Sequence, residues 1–348
     1  MIHVKQSFFI ITLLIIFHLS CSVSCGIDIN LLNNNWQINN SYNYDDYPVL
    51  RKTGENFLIL LLTDTQLEYS SYGQLDFSAI SQTFSMIHAD IQTYKPDLII
   101  LLGDNAAGAG FFNAIEGERL ITFLDSFKIP YAPIMGNHDG EGFLWSSDDN
   151  RKEVIAKIFE KGRYSLFKRG PVNLGVGNYK INIVDEEGSL FFNLIMMDNS
   201  RDYFNHDQVE WYKWIVTGVN SKTGIIVPNM LFFHIPLPET SDLYKELSVS
   251  NPELASEYFW EPVSGENSLN YGMFEMIKEM QSTTHLFFGH DHLNILNSEY
   301  QGIRFVYGLK TGTCNYCDKD RIGTTLITLK ANQDDENTIE ILIEYLFH

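Results

Sequence analysis

Five polar motifs, each placed where an apolar run stops, constrain this chain more than anything else in it. Residues 57–62 (FLILLL) lead to Asp64-Thr65-Gln66, 98–102 (LIILL) to Gly103-Asp104-Asn105, and 131–135 to Gly136-Asn137-His138-Asp139. Further on, 224–233 leads into His234-Ile235-Pro236, and 285–288 into Gly289-His290-Asp291-His292. A short unbroken apolar run reads as a strand covered on both faces. Between the early runs, 77–94 sets Ile80, Phe84, Ile87 and Ile91 at helical spacing, and 121–127 also reads as helical. Strand–helix–strand alternation implies parallel strands joined by right-handed crossovers. The second half is richer in strands (179–184, 190–197, 303–306), with a short aromatic helix around 209–214 and a terminal hairpin of 324–329 with 338–346. The expected architecture is a two-sheet α/β sandwich with helices outside and the five motifs beyond the carboxyl ends of strands, where ligands of open α/β sheets sit.

The acidic balance excludes one class of partner. With 44 Asp and Glu against 24 Lys and Arg, the formal net charge is -20. No basic block exists to neutralise a row of phosphates, so neither nucleic acid nor an anionic membrane is an expected partner. The scattered acids read as a solvated surface.

Residues 1–25 have the form of a secretory signal: Lys5, then an apolar stretch from Phe8 to Leu19, then small residues at Ser22-Val23-Ser24-Cys25. That apolar stretch is short for a membrane span, so no stable span is expected unless the signal stays uncleaved. Residues 26–55, rich in Asn, Tyr and Asp, read as a flexible segment, and 56–348 as the catalytic-type domain. Asn39-Asn40-Ser41 is a glycosylation sequon within that segment. Cys314 and Cys317 form a Cys-x-x-Cys pair, which in an oxidising compartment reads as a candidate small-loop disulfide.

Isolated, an Asp after a strand is a cap or turn former and a buried His a hydrogen-bonded core residue. Together, these residues form a donor set for two divalent ions, which need a bridging carboxylate and a mixed nitrogen and oxygen shell. Asp104 is the candidate bridge. Asp64 and His292 would hold the first ion, and Asn137, His234 and His290 the second. His138, beside Asn137, is the candidate catalytic residue, protonating the leaving alkoxide or stabilising the transition state. Asp139 would cap the next segment or orient His138.

These motifs resemble the calcineurin-like metallophosphoesterases, and within them the purple-acid-phosphatase-like group of small secreted plant and fungal proteins. Lys95-Pro96-Asp97-Leu98-Ile99, Gly177-Asn178-Tyr179 and Phe233-His234-Ile235-Pro236-Leu237-Pro238-Glu239 add to the likeness, which covers roughly residues 57–329. The resemblance implies a four-layer αββα sandwich of two mixed sheets and phosphatase activity with Mn, Fe, Zn or Mg. It also marks a departure. Most of the superfamily carries Asp-x-His at the first motif, and true purple acid phosphatases substitute a Tyr after the bridging Asp; here the two positions are Gln66 and Ala107. No phenolate colour is expected, and Gln66 becomes a candidate weak ligand that favours Mg or Mn over Zn.

The expected activity is metal-dependent hydrolysis of phosphate monoesters, on a phosphorylated small molecule or protein, in the secretory pathway or endolysosomal compartment. A phosphodiesterase using the same metal core and a catalytically weak metal-binding scaffold are the alternatives. Substrate choice would rest with the 140–149 and 239–266 segments, both read as loops.

Overall fold

Alternate residues of the central strands of the larger sheet serve two different cores, which is why their sequences are unbroken apolar runs. A computed structural model describes residues 35–67, 77–106, 111–140, 148–199, 201–313, 316–331 and 339–348. Among them the chain first forms β1 (Val49–Arg51), β2 (Asn56–Leu62), α1 (Phe77–Tyr94), β3 (Leu98–Leu102), α2 (Phe111–Asp125), β4 (Tyr131–Ile134) and α3 (Asp148–Lys161). It continues through β5 (Tyr179–Val184), β6 (Leu190–Met196), α4 (His206–Thr223), β7 (Asn229–Phe232), α5 (Glu239–Ser250), α6 (Pro252–Tyr258) and α7 (Met273–Met280). It closes with β8 (Thr283–Phe288), β9 (Leu296–Tyr300), β10 (Ile303–Tyr307), β11 (Gly323–Ala331) and β12 (Ile339–Phe347).

Two mixed sheets result, one in the order β1-β5-β6-β7-β8-β10-β9 and one in the order β12-β11-β2-β3-β4. Within the first, β6, β7 and β8 run parallel; within the second, β2, β3 and β4 do. Leu194, Met196, Phe232 and Phe287 join Ile59, Leu101 and Ile327 in a core that also takes in Ile87 of α1, Leu120 of α2 and Phe159 of α3. Their sequence neighbours Ile195, Leu231, Leu286 and Phe288 face the other way, into a second core with Trp211 and Ile215 of α4 and Ile277 of α7. Period-two alternation across a doubly covered sheet produces this division. The layers are helix, sheet, sheet, helix.

The strands at 98–102 and 179–184 and the helix at 77–94 lie where the sequence pattern set them, and the terminal hairpin is present as β11 with β12. Other expectations need correction. The short aromatic helix around 209–214 is the 18-residue α4, opened by an Asn205/Gln208 capping box and closed by Gly224 in the left-handed region. The 239–266 segment, expected as a loop, contains α5 and α6. Residues 35–55, part of the segment expected to be flexible, are packed: Trp36 is buried, Tyr42 meets Trp214 edge-on at 5.4 Å, and β1 pairs with β5. Lys180, fully buried on β5, holds its ammonium 4.7 Å from the Tyr47 ring centre and 5.0 Å from that of Tyr44. The aromatic residues that gave this stretch a disordered composition are its packing surface. Residues 1–34 and Cys314 lie outside the described residues, and with them the signal and the Cys314–Cys317 pairing. No described helix is long and apolar enough to cross a membrane.

Candidate metal centre

The three motif loops of the five-stranded sheet and the two of the other meet at one edge of the sandwich. Asp64, Asp104 and Asn137 follow β2, β3 and β4, while His234 and His290 follow β7 and β8. The loops are pressed together tightly enough to exclude side chains at two glycines. A Cβ on Gly136 would collide with the Asp104 carboxylate, and one on Gly289 with the Thr63 hydroxyl. Four non-glycine residues here occupy the left-handed region: Asp64 (φ 51°), Gln66 (38°), Asp104 (48°) and His290 (72°). Each such residue costs on the order of 1–3 kcal/mol, and such strain gathers where a ligand constellation is held by its surroundings.

Each carboxylate uses one oxygen for the backbone and presents the other to imidazoles. Asp64 Oδ2 accepts from the Thr63 hydroxyl (2.6 Å) and the His290 N–H (3.1 Å). Its Oδ1 faces His292 Nε2 at 3.3 Å and His234 Nε2 at 3.9 Å. Asp104 Oδ1 accepts from the His138 N–H (2.8 Å), and its Oδ2 faces His234 Nε2 at 3.2 Å and His138 Nε2 at 3.8 Å. Two of the imidazoles are fixed from behind: His234 Nδ1 lies 2.8 Å from the Leu102 carbonyl and His292 Nδ1 2.7 Å from that of Tyr316. A carbonyl accepts only, so both rings carry a proton on Nδ1 and turn Nε2 toward the carboxylates. That is the tautomer in which histidine ligates through Nε2. His290 lies across from His234, Nδ1 to Nε2 at 3.4 Å.

The charges are strongly coupled. Burial is the largest single influence on Asp64 and Asp104 and would raise both, but their cationic partners together overcome it: His234, His292 and Lys310 for Asp64, and His234 and His138 for Asp104, so both are held below the usual carboxylate range. Burial works against His234 too, yet Asp104 and Asp64 push it up to about 10. Burial and the His234 charge lower His290. The His234 charge and the two buried carboxylates thus stabilise one another.

The residues fit metal ions on the chemistry of their donors. Asp104, His234 and His290 offer ligand atoms that all lie within 4.8 Å of one another. Asp64 Oδ1 and Asn137 Oδ1 are buried and accept no hydrogen bond among the described residues, which is costly for oxygens with no further role. Asn137 follows β4 on the neighbouring loop. His138 stands at the rim with its side chain 33% exposed.

Other residues organise the centre without having been singled out for it. Among the described residues, Asp139 makes no hydrogen bond to His138 or to a following helix. Fully buried, it accepts from the N–H groups of Asn105 (3.0 Å), Ala106 (3.1 Å) and Gly136 (2.8 Å) and from the Asn105 side chain (2.9 Å), tying the β3 loop to the β4 loop. Burial and then Asp104 raise its pKa to about 7. Asn199, just past β6, accepts from the N–H groups of His234 and Ile235, both at 3.0 Å. Its place at a strand end was the available signal. Lys310, buried, donates to the Asp64 carbonyl (3.1 Å) and to Gln66 Oε1 (2.8 Å), and no motif marked it.

A calcineurin-like phosphoesterase family model matches residues 57–294, and the chain belongs to that family. Among curated proteins it is similar to "Probable inactive purple acid phosphatase 14" of Arabidopsis thaliana, 26% identical over 73% of this chain and 68% of that one. "Probable inactive purple acid phosphatase 29" of the same plant is 29% identical over 63% of this chain and 60% of that one. "Phosphatase DCR2" of Saccharomyces cerevisiae is 27% identical over 70% of this chain and 46% of that one. The chain thus spans about two thirds of the length of these plant relatives and about half of the yeast one. Among solved structures, "GAP50 the anchor in the inner membrane complex of Plasmodium" superposes with a TM-score of 0.53 at 12% identity, over 84% of this chain and 85% of that one, which is a likeness of fold.

Proposed function

We propose that this chain is a metal-dependent hydrolase of phosphate monoesters that works in the secretory pathway, outside the cell or in an endolysosomal compartment. The observation that carries the reading is the meeting of Asp64, Asp104, His234, His290 and His292 at one edge of the sandwich, with the part-exposed His138 beside them. Asp104 is the proposed bridge, Asp64 and His292 the first-ion ligands, and Asn137, His234 and His290 the second-ion ligands. Divalent ions bound there supply Lewis acidity to the phosphoryl oxygens and a water that is nucleophilic near neutral pH. The chain's own part is to fix the donors and manage one proton. Leu102 and Tyr316 hold the His234 and His292 tautomers, and the Asp104 carboxylate takes the His138 N–H and so sets the start of that turn. From the rim, the His138 imidazole is placed to protonate the leaving alkoxide. The secretory location rests on the signal-like residues 1–25, and Asn39 of the sequon is exposed.

One observation favours the scaffold alternative: Gln66 gives its carbonyl oxygen to Lys310. Relatives named inactive and a fold neighbour named as an anchor are in keeping with it. Turnover of p-nitrophenyl phosphate decides between them, using secreted protein stripped of metal and reloaded with Mn, Fe, Zn or Mg. Metal-dependent turnover that is lost in Asp104→Asn and His138→Ala is the expected result. Turnover of bis(p-nitrophenyl) phosphate but not of the monoester would select the phosphodiesterase, and none with either ester, in protein that retains metal, the scaffold.

A further inference from the structure

The Gln66 side chain is fixed in the orientation least suited to ligation. Its Oε1 lies 2.8 Å from Lys310 Nζ, and its Nε2 lies 3.3 Å from Asp104 Oδ2. An amide is assigned from its partners. An ammonium only donates and a carboxylate oxygen bound to no proton only accepts, so the oxygen must face Lys310 and the nitrogen Asp104. Exchanging the two atoms would set NH2 against NH3+ and oxygen against oxygen. The lysine is itself anchored, because its ammonium also donates to the Asp64 carbonyl at 3.1 Å and its backbone bridges Thr63 and Ile322. Gln66 therefore presents hydrogens to the carboxylate it shares the site with, and its one donor oxygen is engaged by a buried cation.

We infer that the two ion positions of this chain are strongly unequal. One ion is held tightly by Asp104, Asn137, His234 and His290. The position served by Asp64 and His292 binds weakly, because Lys310 holds the one Gln66 atom that could serve as a ligand. Two consequences of the geometry act together: the position loses a protein ligand, and the buried Lys310 ammonium, 3.1 Å from the Asp64 carbonyl, repels an incoming ion. The Asp64–His292 position would then fill only at high metal concentration. This inference rests on the metal reading above, and its test separates the two.

The experiment measures metal stoichiometry, independent of turnover. Metal-stripped full-length protein is titrated with Mn2+ by calorimetry, desalted for elemental analysis, and examined by electron paramagnetic resonance. The expected result is one Mn retained per chain, with a mononuclear six-line signal, and a second binding step about 100-fold weaker. Gln66→His combined with Lys310→Met should bring two ions to retention and convert the spectrum to that of a coupled pair. Lys310→Gln, which can keep a hydrogen bond to Gln66 while removing the charge, should strengthen the second step by about 10-fold and carries the test if the methionine variant does not fold. Two ions retained by the wild type with affinities within about threefold overturn the inference and leave the metal reading intact. A second step unmoved in both folded variants also overturns it. No Mn retained at all overturns both readings together.

Discussion

The amino end of β8 and the carboxyl end of β7 place buried histidines in opposite electrostatic worlds. At the amino end, His285 is buried beside Arg304, and burial first, then that charge, lowers its pKa to about 4. Its Nδ1 meets the Thr284 hydroxyl at 2.9 Å and its ring stacks on Phe287. On the neighbouring strand's carboxyl end, His234 is just as buried, and two carboxylates raise it to about 10. Burial is common to both. What separates a core histidine from a candidate ligand is the company of carboxylates whose remaining acceptor positions are aimed at one point.

Breaking the carboxylate side of this contrast should have the largest effect. Asp104→Asn is expected to abolish metal retention and reduce turnover by more than the roughly 10–100-fold typical of outer-shell changes, read by elemental analysis and kinetics. Turnover that survives in this variant would remove Asp104 from the chemistry. Asp139→Ala strips one acceptor group from four donors at once and should cost about 3–5 kcal/mol in urea unfolding. A loss below about 1 kcal/mol would mean that the β3 and β4 loops do not depend on this tie.

The amino-end histidine sharpens the comparison through pH. Folded His285 stays neutral down to about 4, whereas in the unfolded chain it titrates at the ordinary 6.5. Unfolding therefore takes up a proton between those values, and stability should fall as pH drops from 6.5 to 4, by at most about 3 kcal/mol from this group. His285→Gln should flatten that part of the stability–pH curve, and an unchanged slope would show that the group titrates normally. The smallest effect is expected from Asn199→Ala. Losing its acceptor for the His234 and Ile235 N–H groups should cost about 1–2 kcal/mol and weaken Mn2+ binding about 10-fold, measured by calorimetry. Full affinity in a destabilised variant would confine Asn199 to a structural role.

Much of the metal centre was legible because its parts sit in short motifs that end apolar runs. Asp64, Asp104, Asn137, His234 and His290 needed only that the strands be recognised, since a parallel sheet delivers every strand's carboxyl end to one edge. Asp139 was visible in the same motif as His138, but its work was not: three hydrogen bonds from Asn105 and Ala106, on a loop 33 and 34 residues away, cannot be read from its neighbours. The contacts of the strap at 35–51 are hidden for a related reason. Its Asn and Asp content suits a solvated segment, and only the arrival of Trp214 and Lys180 from distant elements gives its rings something to cover.

By itself the sequence set the strand cores, the family and the candidate donor residues, because each of those is encoded in local patterning or in a motif. The tertiary structure decided how the donors are used. It brought Lys310 across 244 positions to Gln66, turned the amide away from a ligand's orientation and fixed the His234 and His292 tautomers on carbonyls of other strands. Ligand strength depends on charges and hydrogen bonds supplied through space, and those are set by the packing of two sheets rather than by the order of residues along the chain.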